Sequence, residues 1–138
     1  MAVIMADIDQ FKRLNDEFGH LLGDEVLRQA SSLFHQQLRK IDVVCRYGGE
    51  EFAILLTQTN AQQAIPIAEK LRRSVENFQF PGVPRTVSIS AGVAAFPAHG
   101  KSRDEMIRAA DNGLYAAKQA GRNRVCLTNL AVATSSGQ

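Results

Sequence analysis

Four acidic side chains occupy positions where a packed core has little use for them. Asp7 and Asp9 end a short apolar segment, and Glu50 and Glu51 follow a pair of glycines. An unpaired buried carboxylate is costly enough to stay neutral or to find a cation. If the first strand pairs beside the hairpin, Asp7 and the two glutamates meet at one sheet edge. Several oxygen ligands without nearby His or Cys favour a hard cation, Mg²⁺ or Mn²⁺.

An alternative interpretation of the same acids needs no metal. The glutamates can form a solvent-exposed turn in which Arg46 and Glu51 make an ordinary cross-strand ion pair. Acidic hairpins of this kind are common on protein surfaces, where single ion pairs contribute little stability. The acids by themselves leave both interpretations open.

The stretch from Asn15 to Asp24 reads NDEFGHLLGD and separates two amphipathic helical patterns. Its Asn and Asp side chains can recognise guanine, whose N1–H and N2–H₂ groups donate to a carboxylate. Adenine would leave that carboxylate unpaired, and sites built to hydrogen-bond discriminate strongly for this reason. Alternatively, Asp24 is simply the N-cap of the second helix, while Asn15 and Gly19 end the first one.

Two cations, Lys118 and Arg122, are four residues apart near the end of the last predicted helix. They can complement the helix dipole there, or they can neutralise a triphosphate, Arg through forked hydrogen bonds and Lys as a point charge. The three histidines, His20, His35 and His99, have no metal-ligand spacing, and His35 is expected on the surface.

The elements that must position these residues follow from hydrophobic periodicity and turn signals. Gly48-Gly49 predicts a type I′ hairpin turn, Ser102 with Glu105 a helix-starting capping box, and Pro66 a position near a helix start. The predicted strands are Ala2–Ile8, Asp42–Tyr47, Glu50–Leu56, Thr86–Phe96 and Arg124–Thr128. The predicted helices are Phe11–Phe18, Asp24–Leu38, Ala61–Phe78 and a last one that runs from Ser102 to Gly121.

The order β-α-α-β-β-α-β-α-β predicts an α+β domain with one mostly antiparallel, five-stranded sheet and helices packed on it. A chain of 138 residues suits a single domain, which we expect over residues 1–128, with a disordered tail over 129–138. The net charge of +2 and the lack of a long apolar run argue against nucleic-acid or membrane partners. Cys45 and Cys126 are expected to be small buried side chains on strands in a reducing, cytoplasmic compartment.

Five segments together resemble the GGDEF diguanylate cyclases, in that family's order and spacing and over nearly all of residues 2–128. GGEEF is an accepted active form of the motif that names the family. The resemblance implies the nucleotidyl-cyclase or polymerase-palm relative of the ferredoxin-like sandwich, which agrees with the predicted element order. The segments are DIDQFKRLND (7–16), FGHLLGDEVL (18–27), RYGGEEF (46–52), VSISAGVA (87–94) and DNGLYAAKQAGRNRV (111–125).

The resemblance implies synthesis of cyclic di-GMP from two GTP molecules, with two Mg²⁺ or Mn²⁺ ions in each active site and a homodimer that brings two GTP-loaded domains together. Glu50 is implied as the general base for the ribose 3′-hydroxyl. The implied metal ligands are Asp7, the Ile8 carbonyl, Glu50 and Glu51. The implied substrate contacts are Phe11, Lys12, Asn15, His20, Asp24, Leu27, Lys118 and Arg122.

The segment Arg39-Lys40-Ile41-Asp42 has the form RxxD, which in this family marks a site where the product inhibits. Arg can fork onto guanine or phosphate, and Asp can accept from guanine; alternatively, the Arg only ends a helix before a polar turn. The second arginine that normally completes the site is replaced by Lys70 at the aligned position, with Arg72 and Arg73 nearby.

The chain departs from the family pattern at its start, because it lacks the usual N-terminal helix and DxLTGLxNRR stretch before the first strand. Either the domain is trimmed or the open reading frame is short, and an upstream sensory domain is possible in the full protein. Two further functions stay open: a non-catalytic module that binds GTP or cyclic di-GMP, and synthesis of an adenine-containing dinucleotide, which Asp24 disfavours.

Overall fold

The computed structural model describes residues 1–130, so residues 131–138 of the predicted tail lie outside the described residues. Five strands and four helices follow one another in the predicted order. The strands are β1 (Ala2–Ile8), β2 (Val43–Arg46), β3 (Glu51–Leu56), β4 (Ile89–Ala95) and β5 (Val125–Leu127). The helices are α1 (Phe11–Phe18), α2 (His20–Gln37), α3 (Ala61–Asn77) and α4 (Arg103–Gln119).

The strands form a single sheet in the order β2-β3-β1-β4-β5. Every neighbouring pair is antiparallel except β4 with β5, which is parallel. The α+β class and the mostly antiparallel five-stranded sheet are therefore confirmed. The central strand β1 is buried along its whole length, which explains why its sequence is almost continuously apolar.

The two faces of the sheet carry separate cores, because successive side chains of a strand point to opposite faces. From β1, Ile4 and Ile8 join the larger core with α1, α2 and α3. Val3 and Met5 join the smaller core beneath α4. By the same alternation Asp7 lies on the α4 face, at the end of the strand that leads into the candidate site.

The hairpin turn differs from the prediction. Tyr47 N–H donates to the Glu51 carbonyl at 2.9 Å, so three residues, 48–50, connect the paired positions rather than two. Neither Gly48 nor Gly49 has the left-handed backbone that a type I′ turn requires. The type I′ prediction was wrong, because the first residue after the glycines belongs to the loop and not to the strand.

Three other local predictions also need correction. The second helix begins at His20, because Gly19, with a φ of 92°, ends α1 and redirects the backbone. Asp24 therefore lies inside the second helix and is not its N-cap. Pro66 is in the second turn of α3, whose cap is instead Asn60. Cys45 is exposed and Cys126 half-buried, because both lie on the edge strands of the sheet.

Ser102 caps α4 as predicted, accepting from Glu105 N–H at 3.2 Å. The reciprocal bond of the capping box is shifted by one residue, since Glu105 accepts from the N–H of Lys101. Among residues 1–130, no helix combines the length and apolar character that crossing a bilayer requires.

Candidate active site

The acidic residues at the end of β1 and the start of β3 meet on one face of the sheet. Asp7 is the register partner of Glu51 in the antiparallel pair, and directly opposite residues carry their side chains on the same face. Glu50 joins them through the backbone, where its carbonyl accepts from Ile8 N–H at 3.4 Å. The predicted pairing of the first strand beside the hairpin is therefore confirmed.

Asp7 is the most buried carboxylate of this acidic cluster, with only 4% of its surface exposed. Its Oδ2 accepts a hydrogen bond from Lys118 on α4, while its Oδ1 has no hydrogen-bond partner within residues 1–130. Burial raises the pKa of Asp7 above its usual value, and the nearby charges of Glu50 and Asp9 act in the same direction, against the lowering effect of Lys118. An orphaned buried carboxylate oxygen is the kind of group that a cation satisfies.

Asp111 on α4 belongs to the same cluster and was not identified from the sequence. Burial raises the pKa of Asp111. Burial also raises the pKa of Glu51, and the charges of Asp111 and then Asp7 add to that effect. A usable signal existed, because Asp111 precedes Lys118 by seven residues, which is two helical turns and hence the same face of α4.

The donor set suits a hard divalent cation. Among the described residues, no three carboxylate, imidazole or thiol side chains are gathered closely enough to hold a metal without other ligands. Mg²⁺ does not need such a cage, since it usually binds through one or two carboxylates and is completed by water and substrate phosphates. The buried, half-satisfied carboxylate of Asp7 beside Glu51 fits that mode.

A groove of about 580 Å³ opens beside this cluster, between the helix pair α1–α2 and the hairpin. It contains six of the eight predicted substrate contacts together with the predicted base, and it adds Asp16, Arg46 and Gly49. The predicted residues that line it are Phe11, Lys12, Asn15, His20, Asp24, Leu27 and Glu50.

The floor of the groove depends on a close approach of α1 to α2. Asn15 Oδ1 lies so close to Gly23 that a Cβ on that glycine would be only 1.8 Å away. The same oxygen is buried and has no hydrogen-bond partner within the part of the chain that the structure describes. Gly19 ends α1 as the alternative interpretation proposed, since its N–H donates to the Asn15 carbonyl at 2.7 Å, but this leaves the Asn15 side chain free to face the groove.

Arg46 does not form the cross-strand ion pair considered from the sequence. Its Nη2 donates to the Gly49 carbonyl at 2.7 Å, and its guanidinium lies over the Phe52 ring, 5.8 Å from the centroid. Arg46 is the register partner of Phe52, not of Glu51. Arg46 thus stabilises the glycine loop and lines the groove, and Glu51 belongs to the acidic cluster without an ion pair to Arg46.

The two predicted phosphate-binding cations lie on different elements, a helix and the turn that follows it. Lys118 lies on α4 and contacts Asp7 rather than lining the groove. Arg122 lies beyond α4, which ends at Gln119, and it is exposed with a φ of 63°. The two therefore do not form an i,i+4 pair on one helix, because the helix stops before the second cation.

Arg39 and Asp42 bond to each other, and Arg39 Nη2 also donates to the Thr57 carbonyl at 2.9 Å. Two guanidinium nitrogens donate to the two Asp42 oxygens, at 2.8 and 3.1 Å. The Arg39 backbone N–H donates to the same carboxylate at 2.9 Å. Burial opposes ionisation of Asp42, but these hydrogen bonds outweigh it and hold its pKa below the usual value. Lys70 is exposed on α3.

A second cavity, of about 400 Å³, lies on the α4 face of the sheet. Its walls are mostly apolar, with Val3, Leu55, Phe96 and Met106 among them, and none of the acidic residues lines it. Because the acidic residues lie outside this cavity, the acidic cluster and the α1–α2 groove together form the candidate active site.

The chain is similar to one family and to several characterised members of it. The family profile described as "Diguanylate cyclase, GGDEF domain" matches residues 1–124. Diguanylate cyclase A of Treponema denticola is 40% identical over 130 residues, which are 93% of this chain and 35% of that protein. The chain thus spans about a third of this relative's length.

Two solved structures have the same fold. The active GGEEF domain of a diguanylate cyclase from Vibrio cholerae superimposes with a TM-score of 0.87 at 36% identity, over 93% of this chain and 82% of that one. The GGDEF domain of DgcB from Caulobacter crescentus, solved in complex with c-di-GMP, has a TM-score of 0.80 at 30% identity, over 91% of this chain and 76% of that one.

Proposed function

Because this chain belongs to the GGDEF-domain family of diguanylate cyclases, we propose that it condenses two molecules of GTP into cyclic di-GMP. The main support for the proposal is that a groove lined by Asn15, Asp24 and Glu50 opens beside the buried carboxylate of Asp7. A base-recognition surface and an acidic cluster on one sheet edge are what a nucleotidyl transfer requires.

Guanine recognition rests on the polar side chains of the helix pair. Asp24 is exposed within α2 and faces the groove, where its carboxylate accepts from guanine N1–H and N2–H₂. The Asn15 amide adds a second polar contact, and the side chain of Leu27 supplies an apolar surface for the base. The N–H groups of Phe11 and Lys12, at the start of α1, face the phosphates, which the positive end of a helix favours, and His20 adds a further substrate contact.

Asp7, the Ile8 carbonyl, Glu50 and Glu51 are the groups that would hold two Mg²⁺ or Mn²⁺ ions. When bound, such ions lower the pKa of an attacking hydroxyl and offset charge on the α-phosphate and the leaving pyrophosphate. Lys118 donates to Asp7 and opposes the rise in pKa that burial causes, and with Arg122 it supplies positive charge to the γ-phosphate end of the substrate.

In the bond-forming step the ribose 3′-oxygen attacks the α-phosphorus of the second GTP. The bond from that phosphorus to the pyrophosphate oxygen breaks, and pyrophosphate leaves. Glu50 accepts the proton of the 3′-hydroxyl. Two such steps, one in each direction, close the cyclic dinucleotide.

The reaction requires two copies of the domain. Each groove holds one GTP, so the two 3′-oxygens reach the opposite α-phosphates only when two grooves face each other. We therefore propose a homodimer as the active species. Inhibition by the product at Arg39, Asp42 and Lys70 is part of the same proposal and requires the Arg39–Asp42 pair to exchange its internal hydrogen bonds for bonds to the ligand.

The deciding experiment incubates the protein with GTP and Mg²⁺ over a range of protein concentrations and separates the products by chromatography. We expect cyclic di-GMP and pyrophosphate, with a specific rate that rises with protein concentration as dimers form. Absence of product at the highest concentration, combined with measurable GTP binding, would instead identify a non-catalytic binding module.

Base selectivity has its own test. Replacing Asp24 by Asn keeps one acceptor oxygen but exchanges the other for an NH₂ group, which cannot accept from the second guanine donor, and a hydrogen bond to a charged group contributes about 1.5–3 kcal/mol. We expect GTP affinity to fall by about ten- to a hundredfold while the preference over ATP narrows. Ser32→Ala, an exposed change on the same helix, should leave both affinities unchanged.

A further inference from the structure

The turn that follows α4 has an unusual backbone. Gly121, Arg122 and Asn123 have φ values of 125°, 63° and 48° in succession. Positive φ is unfavourable for side chains other than glycine, and Asn tolerates it better than Arg does. Two consecutive non-glycine residues in this conformation persist only when the surroundings hold them there.

Asp9 holds the turn from the side of the sheet. Its Oδ2 accepts from the Asn123 backbone N–H at 2.9 Å. The same carboxylate accepts from the hydroxyls of Ser88 and Ser90 at 2.7 and 2.6 Å. Asp9 is therefore occupied with three donors and serves as an anchor between the end of β1 and the turn, although its place beside Asp7 in the sequence suggested a metal ligand.

Helix α3 holds the turn from the other side, through the Asn123 side chain. Its Nδ2 donates to Glu76 Oε2 at 2.7 Å, and its Oδ1 accepts from Arg72 Nη1 at 2.9 Å. Arg72 also donates to Glu76 Oε1 at 3.1 Å. Both ends of the Asn123 amide are thus satisfied by α3, in a closed arrangement of three side chains.

The turn contains one cation of the candidate site, Arg122, and follows the other, Lys118. Lys118, at the Asp7 carboxylate, precedes it by three residues, and the Gly121 and Arg122 N–H groups donate to the Lys118 and Ala117 carbonyls at 3.4 and 3.0 Å. Arg122 has a φ of 63° in this turn, and its neighbour Asn123 is held by bonds to Asp9, Arg72 and Glu76.

We propose that Asn123 is a positioning residue for substrate phosphate binding, acting through Arg122. It fastens the turn to Arg72 and Glu76 on α3 and to Asp9 at the end of β1, so that Arg122 is presented in one orientation. This inference rests on the proposed function, because it assumes that Arg122 meets the γ-phosphate.

The test compares steady-state kinetics of Asn123→Ala with those of Asn77→Ala, a matched control at an exposed asparagine on α3. A contact to the γ-phosphate exists in both ground and transition states, so its loss raises KM and leaves kcat nearly unchanged. We expect KM for GTP to rise about tenfold in Asn123→Ala and to stay unchanged in the control. A fall in kcat at constant KM would mean a merely structural role and would overturn the proposal.

Exchanging the donor and the acceptor between positions 123 and 76 tests whether the hydrogen bond itself, and not the identity of the two side chains, holds the turn. Asn123→Asp places a carboxylate against Glu76 and removes the donor, so its KM should rise at least as much as in the alanine variant. In the double variant Asn123→Asp with Glu76→Gln, the introduced amide donates to the introduced carboxylate, and Arg72 can still donate to it. We expect KM to return to within about threefold of the original value; a double variant no better than Asn123→Asp contradicts the proposal.

Hydrogen exchange at the Arg122 and Asn123 amides, followed by NMR, gives a readout that needs no catalysis. The proposal predicts faster exchange at both amides in Asn123→Ala and recovery in the double variant, because the turn opens more often when it is released from α3. If the protein makes no cyclic di-GMP, the proposed function fails, yet unchanged exchange rates alone would overturn the positioning role.

Discussion

Asp7 and Glu51 lie directly opposite each other across β1 and β3, yet within residues 1–130 the Lys118 ammonium group donates to Asp7 and not to Glu51. Glu51 is left half-buried among like charges, and burial together with Asp111 and Asp7 raises its pKa. The sheet therefore holds a concentration of negative charge that one lysine does not balance. This arrangement favours the binding of a cation, and it lowers the stability of the protein when no cation is bound.

Replacing Glu51 by Gln should stabilise the free protein at neutral pH. Its pKa in the folded protein is above the usual 4.5, so the native state binds more protons between the two values and loses stability as pH rises through that window. We expect the Tm at pH 7.5 to rise by about 2–4 °C. The gain should vanish below pH 4.5, where the carboxyl group is protonated in both states.

Thermal unfolding monitored by circular dichroism at the two pH values measures this difference. Asp104→Asn is the control, since Asp104 is exposed in the first turn of α4 and its negative charge complements the helix dipole. That substitution should leave the Tm unchanged or slightly lower it. A lower Tm for Glu51→Gln at pH 7.5 would show that Glu51 stabilises the fold instead of straining it.

Glu50→Gln should abolish turnover without loss of fold. Glu50 is half-buried and lines the groove, and its proposed role is to accept the proton of the 3′-hydroxyl. General-base catalysis contributes about 10²–10⁴-fold, so the rate of cyclic di-GMP formation should fall by at least about a hundredfold. Glu17→Gln, at an exposed ion pair with Arg85, is the control. A variant with near-normal rate would remove Glu50 from the mechanism.

The sequence predicted the parts of the fold that depend on local burial. The bounds of Ala2–Ile8 and Phe11–Phe18 agree with the structure, because an apolar run and a helical stripe end at charged residues and at a glycine. Convergence of Asp7 with Glu51 was also predictable, since it needs only one strand pairing. The family and the α+β class followed from motifs that occupy nearly the whole chain.

Other features depend on contacts that are distant in sequence. The start of α2 at His20 follows from the φ of Gly19, and the three-residue hairpin loop follows from the pairing of Tyr47 with Glu51. The role of Asp9 as an anchor could not be predicted, because its partner Asn123 is 114 residues away. Composition and periodicity contain no information about such pairs.

The Arg39–Asp42 pair couples stability to the proposed inhibition by product. The pKa of Asp42 is held below its usual 3.8, so the stability that its ionised form contributes is present above pH 3.8 and is lost as pH falls through the folded-state value. Arg39→Ala should therefore lower the Tm at pH 7, and the difference from the original protein should narrow in acid to the part that comes from the bond between Arg39 and the Thr57 carbonyl.

Lys70→Ala separates the effect on stability from the effect on product inhibition, because Lys70 is exposed. We expect the concentration of cyclic di-GMP that halves the initial rate to rise about tenfold in both Arg39→Ala and Lys70→Ala, with an unchanged Tm in the second. Lys40→Ala, at the exposed neighbour of Arg39, should alter neither quantity. Unchanged inhibition in both variants would place the product elsewhere.

Gly23→Ala tests the contact that shapes the floor of the groove. Alanine is favoured over glycine inside a helix by about 1 kcal/mol, so a helix without tertiary constraints would gain stability. Here the new Cβ would lie 1.8 Å from Asn15 Oδ1 and 3.2 Å from Phe11 Cζ. Overpacking of this kind costs about 1–3 kcal/mol, and we expect a net loss of about 1 kcal/mol in the free energy of unfolding, measured in urea.

The displaced Asn15 should also lower GTP affinity, measured with a fluorescent GTP analogue. In an Asn15→Ala background the closest contact is gone, so Gly23→Ala should then be neutral or stabilising while GTP affinity stays low. If Gly23→Ala still destabilised that background by the same amount, the cause would lie in the contact with Phe11 and not in the Asn15 side chain.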